Sequence, residues 1–135
     1  MTVAVETVSF KKFPAANGLL CVCESGRSVP FDIRRVFLVS AGSGDIRGDH
    51  AHKTCTQLLV CVSGKIRVSC DDGTVVTHHL LEDICTGLLV PPGIWATEAY
   101  LTDAVLMAMC SQDYDADDYI RDYTEFKAFI GAGES

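Results

Sequence analysis

The sequence predicts an all-β fold, a single sandwich or barrel domain spanning residues 1–135 and ending in one helix. Short apolar segments are separated by turn signals every eight to twelve residues, a spacing typical of all-β domains. A helical periodicity appears only near the C-terminus. The 135 residues suit one domain, and no low-complexity linker or internal repeat divides them.

The apolar segments define the candidate strands. They are expected at 3–10, 18–24, 33–40, 48–53, 57–63, 65–71, 75–81, 87–90, 94–100 and 104–110. Gly64 and Gly73 mark two hairpin turns, because glycine adopts positive φ without a steric penalty. Pro91 and Pro92 separate the next pair of strands, since proline cannot donate a hydrogen bond within a sheet.

The C-terminal segment has the pattern of a helix. Apolar side chains recur at spacings near 3.6 residues, at Tyr119, Ile120, Tyr123, Phe126, Phe129 and Ile130. Asp115, Asp117 and Asp118 stand before them, where carboxylates favour the helix dipole. The pattern therefore predicts one amphipathic helix over residues 116–130.

The charge of the chain limits its partners. The formal net charge is −7, so the chain as a whole does not attract a nucleic acid or an anionic membrane surface. An anionic ligand would therefore need a local basic site. The candidate side chains for such a site are Arg34, Arg35, Arg47, Lys53, Lys65 and Arg67.

Seven cysteines lie mostly inside apolar runs, where we expect them to pack as small hydrophobic residues with free thiols. The N-terminus shows no apolar export signal, and no apolar run approaches the 18 residues of a membrane span. Free thiols without an export signal predict a cytoplasmic protein.

Two histidines on one predicted strand are the strongest candidates for chemistry. His50 and His52 are two residues apart, so both side chains leave the same face of the strand. An imidazole accepts and donates protons near neutrality because its unperturbed pKa is about 6.5. If this face lines the barrel, two imidazoles share one cavity.

The spacing around these histidines is more specific than the pair alone. Gly44 precedes His50 by five intervening residues, Gln57 follows His52 after four, and Gly64 follows Gln57 after six. This spacing resembles the first motif of the cupins, a family of jelly-roll barrels, with glutamine in place of the metal-binding glutamate. The second cupin motif resembles the segment 91–96, in which Ala96 stands in place of its histidine.

The two replaced ligands argue against a metal cofactor. Catalytic zinc normally has three protein ligands, and non-haem iron prefers two histidines and a carboxylate. The neutral Gln57 is a poor replacement for glutamate, and Ala96 offers no ligand. The sequence predicts a cupin pocket that uses bare histidines, with no metal and no cofactor.

Further segments narrow the resemblance. Residues 30–37, 47–53, 91–95 and 114–126, together with Gln57, are similar to the nucleotide-sugar 3,4-ketoisomerases, small cupins also described as FdtA-like or WxcM-like. The similarity spans roughly residues 30–129. Two departures are the absence of a histidine at Ala96 and the strand pair Phe37-Leu38, where members often carry a tyrosine.

The resemblance implies a metal-independent isomerase. Members move the ketone of dTDP-4-keto-6-deoxyglucose from C4 to C3, and the product feeds an aminotransferase that makes a 3-amino sugar for surface polysaccharide. The resemblance also implies a cytoplasmic homodimer, often with exchanged N-terminal strands. The partner is then a dTDP-linked 4-keto-6-deoxy sugar, with no nucleic acid and no membrane.

The site residues follow from this chemistry. We expect His50 to remove the C3 proton and His52 to relay or donate one, with the reverse assignment nearly as well supported. Arg47 would bind the diphosphate or stabilise the enediolate, since guanidinium binds phosphate through two hydrogen bonds. Gln57 and Arg35 are expected to bind substrate, and Trp95 to stack on the ligand or pack in the core.

Other functions stay open at this point. One alternative is a metal-dependent cupin enzyme, which Gln57 and Ala96 argue against. Another is a non-catalytic cupin that binds nucleotide sugars. A third is a 3,5-epimerase, which would normally use one histidine–aspartate base and a tyrosine acid.

Overall fold

The computed structural model describes residues 4–133, which form twelve strands, a short 3₁₀ turn and one α-helix. The strands are β1 (Glu6–Ser9), β2 (Lys11–Ala15), β3 (Gly18–Val22), β4 (Arg35–Ala41), β5 (Ile46–His52), β6 (Gln57–Ser63), β7 (Ile66–Asp71), β8 (Val76–Leu81), β9 (Thr86–Val90), β10 (Trp95–Tyr100), β11 (Ala104–Cys110) and β12 (Tyr119–Ile120). The 3₁₀ turn covers Ala116–Asp118, and helix α1 covers Tyr123–Gly133.

Two five-stranded antiparallel sheets face each other across a shared interior. The first sheet has the order β1-β9-β6-β11-β4, and the second has the order β12-β5-β10-β7-β8. Strands β2 and β3 form a separate hairpin. Chain neighbours such as β4 and β5 therefore lie in different sheets, which is the jelly-roll arrangement that the sequence predicts.

The interior is built by alternation along the strands. On β7, Ile66, Val68 and Cys70 are at most 2% exposed, whereas Arg67 between them is exposed. The inner face of the first sheet contributes buried apolar side chains of β6, β9 and β11. Side chains two residues apart share a face of a strand, so this pattern fixes which residues enter the barrel.

The predicted strands at 57–63 and 104–110 are confirmed residue for residue by β6 and β11. Most others shift at their ends by one or two residues. The predicted strand at 3–10 begins at a residue outside the described range, and the structure has β1 over Glu6–Ser9. Strand β2 was not predicted, because its lysines and Pro14 lack an apolar alternation and it pairs only with β3.

The predicted helix over 116–130 is wrong at its start. The Asp115 side chain accepts a hydrogen bond from the Asp117 amide and caps a 3₁₀ turn instead. Tyr119 and Ile120 then pair as β12 with His52 and Ala51 of β5. Helix α1 begins only at Tyr123, because the preceding apolar residues are used by the sheet.

Helix α1 packs on the outer face of the second sheet. Phe126 is fully buried against Trp95 and Ile120, and its ring centroid lies 5.7 Å from that of Trp95. The Tyr123 hydroxyl donates to Asp71, and the Lys127 ammonium donates to the Gly73 carbonyl. Within residues 4–133, no helix is long and apolar enough to cross a membrane.

The cysteines differ from the expectation of free thiols at one pair. Cys21 on β3 and Cys85 before β9 form a disulfide, with their Cα atoms 5.5 Å apart. The pair meets because Phe10, next to the β2–β3 hairpin, donates its amide to the Cys85 carbonyl. Cys55, Cys61, Cys70 and Cys110 are free and buried, as expected.

Removal of the Phe126 ring should undock α1 from the sheet. Phe126→Ala should lower the free energy of unfolding by about 3–5 kcal/mol, the cost of truncating a buried aromatic side chain. Urea denaturation measures the change. The control Phe129→Ala removes a ring that is 37% exposed and should cost clearly less. Equal losses in the two variants would contradict this packing.

Candidate active site

A cavity of about 210 Å³ lies inside the barrel between the two sheets. Its wall on the first sheet is mostly apolar and includes Phe37, Val39, Leu59 and Leu106. The polar lining comes largely from the second sheet and the residues after it, and Gln57 adds to it from β6 of the first sheet. The polar residues on the second-sheet side are Arg47, His50, Glu98, Tyr100, Tyr119 and Arg121. The cavity therefore presents proton-transfer groups on one side and an apolar wall on the other.

A bulge in β5 brings Arg47 and His50 to the same cavity. Residues three apart lie on opposite faces of a regular strand, yet both line this space. The register with β10 shifts so that Asp49 is an extra residue, with φ of 61°. The Asp49 carboxylate turns away and accepts a hydrogen bond from Trp95 Nε1 at 3.0 Å.

His52 is held by the tail of the chain. Its Nδ1 lies 2.8 Å from Asp118 Oδ2, and both side chains are less than 10% exposed. A carboxylate only accepts hydrogen bonds, so Nδ1 carries the proton and Nε2 presents the lone pair. The other Asp118 oxygen accepts from the backbone amide and hydroxyl of Thr54.

Burial governs the protonation of this group. Burial lowers the pKa of His52, and the hydrogen bond to Asp118 opposes that effect only in part. Burial alone would raise the pKa of Asp118, but the hydrogen bonds from His52 and Thr54 prevail and lower it. The pair therefore consists of a neutral imidazole beside an ionised carboxylate near neutral pH.

His50 stands at the cavity itself. Its ring centroid lies 5.1 Å from that of His52 and 5.0 Å from that of Tyr119. Burial lowers its pKa, and the neighbouring His52 and Arg121 act in the same direction. His50 is therefore a neutral imidazole near pH 7, the form that accepts a proton.

The tail completes the cavity. Tyr119 lines the cavity from β12, and its ring centroid lies 4.4 Å from that of His52. The Arg121 guanidinium stacks over the Tyr119 ring at 4.5 Å and also lines the cavity. Arg121 and Arg47 are exposed, so each presents its positive charge to solvent at the cavity.

A thiol joins two of the predicted substrate-binding residues. Cys110 Sγ accepts hydrogen bonds from Gln57 Nε2 at 3.5 Å and from Arg35 Nη2 at 3.6 Å. The neighbouring Cys55 thiol lowers the pKa of Cys110, burial opposes it, and the hydrogen bonds from Gln57 and Arg35 lower it further. Arg35 also donates to the Tyr119 hydroxyl at 3.0 Å, so it supports the cavity from behind.

The family of the chain follows from comparison with known proteins. The family model FdtA, described as WxcM-like, C-terminal, matches residues 3–131. The chain belongs to this family. A curated relative from Aneurinibacillus thermoaerophilus, TDP-4-oxo-6-deoxy-alpha-D-glucose-3,4-oxoisomerase, is 38% identical over 127 residues, which are 93% of this chain and 91% of the relative.

Solved structures of a sugar 3,4-ketoisomerase have the same fold. QdtA from Thermoanaerobacterium thermosaccharolyticum, a sugar 3,4-ketoisomerase in complex with TDP, matches with a TM-score of 0.93 and 29% identity over 98% of both chains. A mutant of QdtA in complex with TDP-4-keto-6-deoxyglucose also matches with a TM-score of 0.93, at 28% identity, over 98% of this chain and 97% of that one. The predicted cupin fold and the resemblance to 3,4-ketoisomerases are confirmed.

The predicted site residues of this FdtA member divide into three groups. Arg47, His50 and Gln57 line the cavity together. His52 and Arg35 lie behind it and contact its lining through Tyr119. Trp95 packs against α1 on the outer face of the sheet, because it alternates with the inward-facing residues of β10. Of the two roles considered for Trp95, the structure supports packing.

Glu98, Tyr100, Asp118, Tyr119 and Arg121 were missed as site residues. The first two could have been found by period-two counting, since they share a strand face with Ala96, the position of the cupin histidine. The predicted helix concealed the other three, because it assigned them to helical turns rather than to a strand beside β5.

One cluster of side chains has a donor set suited to a metal. His52, Cys55 and Asp118 place their ligand atoms within 4.8 Å of one another, and zinc accepts these ligand types. However, His52 and Asp118 already bond to each other, and Asp118 also accepts from Thr54. The cluster thus satisfies most of its polar atoms internally, and the absence of a metal requirement stays a prediction.

Neutralising Asp118 should change His52 directly. In Asp118→Asn the pKa of His52 should fall further, because the carboxylate that stabilises the imidazolium is removed. The free energy of unfolding should fall by about 1.5–3 kcal/mol, the scale of a hydrogen bond to a charged group. NMR titration of the imidazole resonances and urea denaturation measure the two effects. The control Asp117→Asn changes an exposed neighbour, and an unchanged or raised His52 pKa would contradict the assignment.

Proposed function

We propose that this protein is an isomerase that moves the ketone of dTDP-4-keto-6-deoxyglucose from C4 to C3. The observation that carries the proposal is a neutral, partly buried His50 in a barrel cavity, in a chain of the FdtA family. The names of the curated relative and of the QdtA structures support the substrate class. The product would serve the biosynthesis of a dTDP-3-amino-3,6-dideoxy sugar for surface polysaccharide.

The reaction needs proton transfer and nothing else. The C4 ketone acidifies the neighbouring C3–H bond, and His50 removes that proton to give an enediolate across C3 and C4. Delivery of a proton to C4 then forms the 3-ketone, while a proton moves from O3 to O4. No external electrons enter, because one carbon is oxidised as the other is reduced. A positioned acid–base group supplies about 10²–10⁴-fold of the acceleration.

The positions of the histidines favour one of the two assignments left open by the sequence. His50 lines the cavity, whereas His52 lies behind Tyr119 and bonds to Asp118. His50 is therefore the better candidate for the base at C3. His52, 5.1 Å away between ring centroids, would hold the proton in transit or orient His50.

The size of the cavity suggests how the substrate divides. About 210 Å³ is less than the roughly 300–1,000 Å³ of pockets that enclose drug-sized ligands, so it would hold the sugar rather than the whole nucleotide sugar. The diphosphate would then lie at the mouth, beside the exposed guanidinium groups of Arg47 and Arg121. These two charges supply the local basic site that a chain of net charge −7 requires.

The remaining properties follow the family resemblance. We propose that the enzyme is metal-independent, because enolisation next to a ketone proceeds with acid–base groups alone. We also propose a cytoplasmic homodimer. An exchange of N-terminal strands would use β1, which pairs with β9 at the edge of the first sheet.

The proposed function is tested by NMR of dTDP-4-keto-6-deoxyglucose incubated with the protein in D₂O. A new 3-keto signal with deuterium at C4 is expected. In a parallel reaction in H₂O, the coupling constant of the C4 proton reports the configuration of the product. His50→Asn should lower kcat by at least about 10²-fold, because it removes the proton acceptor but keeps a polar side chain.

The control for this variant is His78→Asn on the exposed face of β8, which should retain activity. Added chelator should also leave activity unchanged. If the sugar is not converted, the proposed function is wrong, and if His50→Asn remains fully active, His50 is not the base. Loss of turnover on metal removal would favour the metal-dependent alternative.

Arg47 should hold the diphosphate. Arg47→Ala is expected to weaken TDP binding by about 1.5–3 kcal/mol, the scale of a hydrogen bond to a charged group. Lysine at this position should rescue only in part, because it keeps the charge but loses the planar pair of donors. Calorimetry measures the dissociation constant, with exposed Arg67→Ala as the control. An unchanged dissociation constant with reduced kcat would assign Arg47 to the enediolate instead.

A further inference from the structure

Glu98 places a buried carboxyl group in the cavity. This group has no role in the reaction steps assigned to His50 and His52. The residue is 8% exposed and lines the same space as His50. Its Oε2 atom is buried and has no hydrogen-bond partner among residues 4–133. A buried polar atom without a partner costs roughly 1–3 kcal/mol, so this carboxyl oxygen calls for an explanation.

The backbone around Glu98 makes room for this carboxyl group. Gly48 on the neighbouring strand has φ of 79°, and a Cβ atom there would collide with the Glu98 carboxylate. The backbone conformation favours glycine at this position, and the missing side chain leaves the Glu98 carboxyl group in its observed place. The same strand carries Arg47 opposite Glu98 and His50 opposite Ala96 in the β5–β10 register.

The surroundings keep the carboxyl group protonated to an unusually high pH. Burial raises the pKa of Glu98 to about 7, and Asp49 on β5 acts in the same direction. Arg47, also on β5, opposes them. Tyr100 on β10 and Cys70 on β7 face Glu98 as neutral groups, since burial raises the pKa of each to about 12.

Two further ionisable side chains, His50 from β5 and Arg121 after β12, line the same cavity as Glu98. A group that titrates near neutrality can both give and take a proton at the pH where the enzyme works.

We propose that Glu98 is a second catalytic residue, which carries the proton between the two sugar oxygens while His50 serves the two carbons. This inference rests on the proposed function, because it assigns a role within that reaction. A single base at C3 leaves the oxygen protons without a carrier. Glu98 lies on the polar side of the cavity with His50, so both groups can face one sugar ring.

The proton movements balance over one turnover. As His50 takes the C3 proton, the protonated Glu98 donates its proton to O4 and a neutral enediol forms. The Glu98 carboxylate then takes the O3 proton while the imidazolium delivers a proton to C4. The C3–H and O3–H bonds break, the C4–H and O4–H bonds form, and both residues return to their starting states.

The test compares wild-type protein with Glu98→Gln, which has the same shape but cannot transfer a proton. With TDP-4-keto-6-deoxyglucose as the probe, kcat of the variant should fall by at least about 10²-fold. The dissociation constant for TDP should stay within about twofold, because the nucleotide lies outside the cavity in this account. The control Glu82→Gln removes an exposed carboxylate near Lys65 and should keep the wild-type kcat.

The pH dependence separates a catalytic from a structural role. Wild-type kcat/KM should decline as pH rises through about 7, because only free enzyme with a protonated Glu98 starts the reaction. This limb should be absent from any residual activity of Glu98→Gln. If the variant fails to fold, the wild-type profile still decides, since a kcat/KM that is flat across this range overturns the assignment.

The outcomes distinguish this inference from the function on which it rests. Conversion of the sugar by wild type and by Glu98→Gln at similar rates overturns the role of Glu98 alone. Conversion by wild type, with the expected loss and the missing alkaline limb in the variant, supports it. No conversion by wild type overturns both.

Discussion

The hydrogen bond between His52 and Asp118 is the contact on which the site depends. It joins β5, which carries both histidines, to the tail that closes the cavity, and both partners are almost fully buried. Asp118 also accepts two hydrogen bonds from Thr54, so loss of the carboxylate would remove the acceptor for these bonds and for the buried His52 Nδ1. Tyr119 and Arg121 are placed by this anchor, and α1 follows directly on the outer face of the sheet.

Desolvation sets the pKa values of the ionisable side chains inside the barrel. Burial disfavours charge, so it lowers the pKa of His50 and raises that of Glu98. The same physical effect therefore produces a neutral base and a carboxyl group that titrates near neutrality in one cavity. The guanidinium groups of Arg47 and Arg121 lie at the solvent side, where a diphosphate would need them. Neutral acid–base groups inside and cations outside are what enolisation of a nucleotide-linked sugar requires.

Strand alternation made much of the fold predictable, and tertiary contacts explain the rest. The apolar runs of β6 and β11 are buried within the first sheet, so their limits follow from composition. The secondary structure of the C-terminal segment could not be predicted in the same way. Tyr119 and Ile120 fit a helical period, and only their pairing with β5 makes them a strand. His50 was identified through motif spacing, whereas Glu98 belongs to no motif and could have been found only by counting strand faces from Ala96.

The most direct measurement is a crystal structure of the His50→Asn variant with TDP-4-keto-6-deoxyglucose. We predict that the sugar enters the barrel, with C3 facing residue 50 at about 3.5 Å, the separation of a near-attack geometry. We also predict that O3 or O4 lies within hydrogen-bonding distance of the Glu98 carboxyl group, with the diphosphate at Arg47. A sugar bound outside the barrel, or one that turns C3 away from residue 50, would contradict this prediction.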